Sequence, residues 1–197
     1  MTSNYLTPLD QLHELNVEVY SMLNNLNQPI VIVGGQSVSY WLDFYSASLN
    51  GAKAQTASVD IDFVANRNSV KQITKVWNID VKFAGIDVPP PSVAIAQLID
   101  RDSNKIKMSR GLQFIDVDMY ENEGYKKANL VDFIDFPSGF TRKEFLGKSK
   151  TIITAQYEFS IKSGLKSHEN LLILNPFGCL ISRVSNIFNT PKDNEIA

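Results

Sequence analysis

The chain holds a single cysteine, Cys179, and only two histidines, His13 and His168. One thiol excludes a disulfide framework within the chain and a cysteine-type zinc site. Two histidines far apart in sequence argue against a His-rich metal site. A run of ~18 apolar residues is also missing, as is a basic start followed by an apolar segment, so neither a membrane span nor a signal peptide is expected and the default location is cytoplasmic. Positive charge is not in excess: 19 Lys and Arg stand against 21 Asp and Glu, for a formal net charge of -2. Dedicated nucleic-acid binders are usually basic, which weighs against that class while leaving room for a local basic patch. There is no internal repeat and no low-complexity tract.

What is present is ordinary globular material. The chain has 197 residues, 44% hydrophobic and 20% charged, enough for one domain with a real core. One domain is expected over 1–188, with a polar tail over 189–197. Leu6, Leu9, Leu12, Leu15, Val17, Val19, Met22, Leu23 and Leu26 recur at helical spacing over 5–27. Pro29–Val33 reads as a buried strand, Gln36–Tyr45 as a helix, 46–57 as a polar loop and Val59–Ala65 as a second strand. Asn68 is a plausible cap for a helix from Ser69 to about Trp77. Val81–Phe83, Ser92–Ile99, Lys105–Met108 and Leu112–Tyr120 read as further strands, and 121–150 as mixed. A strand or strand pair over Thr151–Ser163, a short strand Leu171–Leu174 and a helix from Pro176 to about Phe188 complete the pattern. Such an order implies an α/β (α+β) fold with a mixed sheet flanked by helices.

The chemistry concentrates around Gly34-Gly35 and Ser58-Val59-Asp60-Ile61-Asp62. A glycine pair opening a helix presents unpaired backbone N–H groups to an anion. Aspartates at i and i+2 of a strand point to one face, as Asp60 and Asp62 would. Mg²⁺ takes one or two carboxylates plus substrate phosphates, so a phosphate cradle beside such a pair suggests nucleoside triphosphate chemistry. A third carboxylate from a neighbouring strand would complete a two-metal arrangement, and the expected strand Leu112–Tyr120 offers Asp116 and Asp118. Each motif alone is weak, since D-x-D often lies on a solvated sheet face and Gly-Gly is often a turn.

Taken together, the apolar strand, Gly34-Gly35, the following helix, the Asp60/Asp62 strand and a later carboxylate resemble the DNA polymerase β-like nucleotidyltransferase superfamily. Ser58 two residues before Asp60, with Leu171–Ile173, Pro176, Leu180, Arg183 and Asn186, is most similar to the AbiEii-type nucleotidyltransferases of abortive-infection and toxin–antitoxin systems. Gln36 and Ser37 depart from the threonine and alanine found in many relatives. The helical C-terminal half of those relatives has little or no counterpart here, which fits a compact or truncated form.

The resemblance implies Mg²⁺-dependent (or Mn²⁺-dependent) transfer of a nucleoside monophosphate from an NTP to an acceptor hydroxyl on a tRNA end, a protein or a small molecule. Gly34, Gly35 and Ser37 would meet the triphosphate, Asp60 and Asp62 the metal, and Asp118 or Asp116 would be the third, catalytic carboxylate, with Asp118 favoured. Ser58 would touch phosphate or only shape its loop, and Arg183 would contact phosphate or base or lie on a helix surface. His13, Cys179, Tyr40, Trp41 and Tyr45 read as structural, and His168 as solvent-exposed. Two other classes stay open: a non-catalytic nucleotide- or protein-binding member, antitoxin-like or regulatory with a cognate partner protein, and a plain structural domain with solvated aspartates.

Overall fold

A computed structural model describes residues 4–46, 58–88, 91–146, 150–159 and 166–189. The expected polar loop over 46–57 and the tail over 189–197 lie almost wholly outside these residues. The chain opens with α1 (Pro8–Val19), capped by Thr7 Oγ1 accepting from the Asp10 N–H, and tightens into a 3₁₀ turn over Tyr20–Asn25. It continues through β1 (Ile30–Val33), α2 (Gly34–Tyr45), β2 (Ile61–Val64), α3 (Arg67–Val76), β3 (Ile79–Phe83) and β4 (Ser92–Asp100). Three short strands follow: β5 (Lys105–Ile106), β6 (Met108–Ser109) and β7 (Leu112–Gln113). Then come α4 (Val117–Glu123), β8 (Leu130–Ile134), α5 (Arg142–Leu146), α6 (Lys150–Ile153), β9 (Thr154–Phe159), β10 (Lys166–Leu174) and α7 (Pro176–Asn189). Among the described residues no helix is long and apolar enough to cross a membrane.

The main sheet runs β3-β4-β8-β2-β1-β10-β9, with β5 added beside β4. It is mixed: β2 lies antiparallel to β1 but parallel to β8, and β1 lies parallel to β10. Alternation sorts the strand residues onto two faces. Ile30, Ile32, Ile61, Phe63, Val131 and Phe133 face one way and pack with Leu12, Leu15, Val70, Ile73 and Trp77 of α1 and α3. Val31, Val33 and Val64 face the other way, where Phe145, Ile153, Leu174 and Cys179 cover them. Trp41 of α2 ties that layer down by donating its indole N–H to the Leu174 carbonyl at 2.6 Å.

Several expectations are corrected here. The cap of α3 is Asn66, whose Oδ1 accepts from the Ser69 N–H at 2.9 Å, not Asn68. The first stretch of Thr151–Ser163 is helical before it becomes strand. The expected strand Leu112–Tyr120 breaks after Gln113: Asp116 caps a helix, its Oδ1 accepting from the Met119 N–H at 3.0 Å, and Asp118 sits in the helix's first turn. Asp116 and Asp118 therefore do not share a strand face. The reason is local: a carboxylate that can cap its own backbone competes with the ladder, and Gly124 at φ +68° gives the short helix its end. A strand missing from the sequence reading, β8, occupies the centre of the sheet within the stretch 121–150.

Candidate functional site

The turn from β1 into α2 is built by its two glycines. Gly34 has φ +65°, a left-handed conformation that glycine adopts without penalty. A Cβ there would lie 2.9 Å from Asp62 Cγ and collide with Oδ2, so the glycine is what lets the Asp62 carboxylate come up against the turn. A Cβ on Gly35 would lie 2.5 Å from Ser58 Oγ, so the second glycine admits the chain that leads into β2. Gln36, wholly buried below, donates its Nε2 to the Ser58 carbonyl at 2.5 Å, and Ser39 Oγ accepts from the Ser58 N–H at 3.2 Å. Ser58 is thus held on both backbone sides, and its residue shapes the approach to β2. Val33, the cap residue of α2, provides no side-chain cap.

The two other expected anion contacts, Ser37 and Arg183, lie on α2 and α7. Ser37 is fully buried, donates its hydroxyl to the Gly34 carbonyl at 2.7 Å and faces Cys179 Sγ at 3.3 Å, so it offers no hydroxyl to a phosphate. Burial pushes the Cys179 thiol pKa up, as expected of a structural cysteine. Arg183 lies exposed on α7, close enough to Cys179 for its charge to be felt there. His13 sits against the Tyr157 hydroxyl, and burial lowers its pKa, which fits a structural role. His168 is half-buried rather than exposed and engages Asn24 Oδ1 at 3.0 Å.

The carboxylates converge from β2 and β8. Parallel pairing puts Asp62 opposite Asp132, and antiparallel pairing puts Asp62 opposite Val33, immediately before the glycines. Directly paired residues project to the same face, so Asp62 and Asp132 are neighbours at about one strand spacing, ~5 Å. Asp60, exposed just ahead of β2, completes the group: its charge raises the pKa of both Asp132 and Asp118. For Asp132 desolvation is the larger cause, with Asp60 second. For Asp118 desolvation leads and Asp116 precedes Asp60. Among the described residues no cation pairs with Asp60, Asp118 or Asp132.

A buried amide network fixes this convergence. Asn129, just before β8, donates its Nδ2 to the Val59 carbonyl at 3.0 Å and to Gln11 Oε1 at 2.8 Å. Gln11 in turn donates to the carbonyls of Leu6 and Ile115. The starts of β2 and β8 and the entry to α4 are thereby bound to one another and to α1. Sequence reading missed both Asp132 and Asn129. A signal for Asp132 was present: Val131-Asp132-Phe133-Ile134 repeats the residue types of Ile61-Asp62-Phe63-Val64.

Carboxylates such as Asp60, Asp118 and Asp132, with no cation paired to them among the described residues, suit a hard divalent metal, a proton, or both. Among the described residues no three Asp, Glu, His or Cys side chains form a group that could hold a metal ion by themselves. A metal that binds through one or two carboxylates and completes its shell with phosphate and water does not require such a group, and Asp60 with Asp62 or Asp132 can supply that share. A smaller cavity of about 200 Å³ lies at the opposite end of β1 and β2, against Pro29, Val64 and Arg142, and contains none of these carboxylates. Compared with protein-family models, curated protein sequences and solved structures, the chain matches none.

Proposed function

We propose that this domain is a nucleotidyltransferase of the polymerase β-like kind, with Asp132 rather than Asp118 or Asp116 as its third carboxylate. The observation that carries the reading is the register of β2 and β8, which sets Asp132 beside Asp62 at the glycine turn. The order of strand, glycine pair, helix and paired-aspartate strand supports the same reading, as does the AbiEii-like sequence resemblance.

In this reading the turn at Gly34-Gly35 receives the triphosphate, since it opens the 12-residue helix α2 and no side chain caps the helix's first N–H groups. Asp60 and Asp62 would hold Mg²⁺ or Mn²⁺, which supplies positive charge against the triphosphate oxygens when bound. Asp132 accepts the proton of the acceptor hydroxyl. Its raised proton affinity is what a general base needs, because a carboxylate at its ordinary value is a poor one at neutral pH. The acceptor oxygen forms a bond to the α-phosphorus, the bond from that phosphorus to the bridging oxygen breaks, and pyrophosphate leaves. Asp118 stays close enough to feel Asp60 and borders the site from α4.

The test uses NTPs labelled at the α-phosphate, incubated with the full chain, Mg²⁺ and cell extract. Asp132→Asn is expected to lower transfer at least ~100-fold, the low end of general-base contributions, with nucleotide binding retained. Asp118→Asn is expected to change the rate by less than about threefold. Full activity in Asp132→Asn, or its loss in Asp118→Asn alone, would overturn the assignment.

A further inference from the structure

The face of the sheet that carries Asp62 and Asp132 is covered at one end and open at the other. Over β1, β2 and β10 it is closed by α2, α5, α6 and α7. Beyond Asp132 the same face continues across β8, β4 and β3, and its residues line a cavity of about 590 Å³. Register places four of the lining residues on this face. Ile95 of β4 is opposite Asp132, and Lys82 of β3 is opposite Ile95. Leu130 and Gln97, paired with each other, lie one step along the strands on the same face. Ile95 is 38% exposed, which is high for an isoleucine paired on both sides within a sheet and leaves apolar surface for a ligand.

The charges of this groove are unequal in availability. Arg101 donates its Nε to Asp80 at 2.8 Å. The Asp100 carboxylate accepts from the Ser103 N–H, the Ser103 hydroxyl and Asn78 Nδ2, which lower its pKa. Lys82 is exposed and, among the described residues, is in no ion pair. A ligand in the groove thus meets an apolar floor and one unneutralised cation, about two strand spacings or ~10 Å from Asp132 along the row.

We propose that this open groove is the acceptor site, and that it takes a small hydroxyl-bearing molecule with an apolar body and an anionic group that faces Lys82. The assignment rests on the nucleotidyltransferase reading, because Asp132, which is paired with the lining residue Ile95 but does not itself line the cavity, is the reactive group at that end. The volume lies within the ~300–1,000 Å³ of small-molecule sites. A polynucleotide would need several lysines or arginines along its path, and this groove offers only Lys82 and an Arg101 already paired with Asp80. A peptide added to the edge strand β3 would lie beside the sheet, whereas the groove lies on its face, along β4 from Ile95, opposite Asp132, through Gln97 to Ile99.

Isoleucine-methyl NMR on the full chain tests this with three probes: 4-hydroxyphenylacetate, the cationic analogue tyramine, and a serine-containing pentapeptide. Saturable shifts at the Ile95 and Ile99 methyls are expected with 4-hydroxyphenylacetate, at about threefold or more higher affinity than tyramine, the scale of one exposed charge contact. Lys82→Glu, a surface change, should reverse that preference. Absence of saturable shifts at Ile95 and Ile99, an unchanged preference in Lys82→Glu, or stronger binding of the peptide overturns the proposal. Calorimetry of Mg·ATP binding by the same samples separates the two readings. Normal Mg·ATP binding with silent methyls defeats only the groove; shifted methyls without any Mg·NTP binding defeat its role as an acceptor site.

Discussion

β2 and β8 carry nearly the same four residues, Ile61-Asp62-Phe63-Val64 and Val131-Asp132-Phe133-Ile134, paired side by side in the same direction. On one face they behave alike: Phe63 and Phe133 stack with centroids 6.0 Å apart, and Trp77 packs against both. On the other face their aspartates are treated differently. Asp62 is pressed against Gly34 at the helix turn, and its place depends on a backbone that has no Cβ. Asp132 has the exposed Ile95 beside it and gains its character from desolvation and from Asp60. Equal sequence in equal backbone thus yields one carboxylate built into a turn and one left free to change its proton. The lesson is that neighbours across the sheet, more than the tetrad itself, decide what an aspartate in it can do.

The largest effect should come from breaking the Asp62 half. Gly34→Ala adds a Cβ into the Asp62 carboxylate at a residue whose φ is +65°. The left-handed conformation alone costs an alanine about 1–2 kcal/mol, and the collision adds to it. A loss of more than about 2 kcal/mol in urea unfolding is expected, and Asp62→Ala in the same chain should return part of it by removing the collision. No recovery in the double variant would show that Asp62 does not depend on Gly34. The matching change on the other side, Ile95→Ala, meets no turn and should cost clearly less.

A second, smaller effect sharpens the Asp132 half. Its pKa is raised in the folded chain, so protonation favours folding. Its contribution to stability is full below the ordinary carboxylate pKa and is lost as pH rises through the folded value. Asp132→Asn removes that loss. The variant is expected to melt above the wild type at pH 7, by at most about 4 °C for a chain of this size, and the gap should close as pH is lowered through the ordinary carboxylate range. Thermal unfolding between pH 3 and 7 measures it. A gap that stays constant with pH would mean that Asp132 is not carrying a raised pKa. Loss of activity together with gain of stability is the pattern of a site residue rather than of a fold residue.

How much of this was legible beforehand differs by range of interaction. Gly34-Gly35, Asp60 and Asp62 were visible because glycine pairing and i, i+2 spacing are local. The buried strand Ile30–Val33 and the helix that begins at Pro176 were visible for the same reason. The partner of Asp62 was not, because which strand lies beside β2 is fixed by the path of the whole chain. Leu112–Tyr120 alternates as well as a strand should, yet Asp116 folds back on the Met119 N–H and turns the segment into a helix. Leu130–Ile134 is short, and its adjacent apolar pairs Leu130-Val131 and Phe133-Ile134 blur any alternation, so only the likeness of Val131–Ile134 to Ile61–Val64 marked it. Asn129 has no sequence signal at all: its value lies in reaching Val59 and Gln11 at once.

The smallest effect separates the two acids that the local pattern suggested. Asp116→Ala removes a helix cap, which typically costs ~1 kcal/mol. Asp118→Ala removes an exposed carboxylate from the first turn of α4, where the helix dipole favours an acid by a few tenths of a kcal/mol, offset here by the repulsion from Asp116 and Asp60. Urea midpoints should therefore fall in Asp116→Ala and hardly move in Asp118→Ala. Had either residue been the strand-borne partner of Asp62, the cost would lie in transfer and not in stability. A stable but inactive Asp116→Ala would return the third carboxylate to the 112–120 segment. An unstable but active one leaves Asp132, the residue that the register places beside Asp62, as the acid in the site.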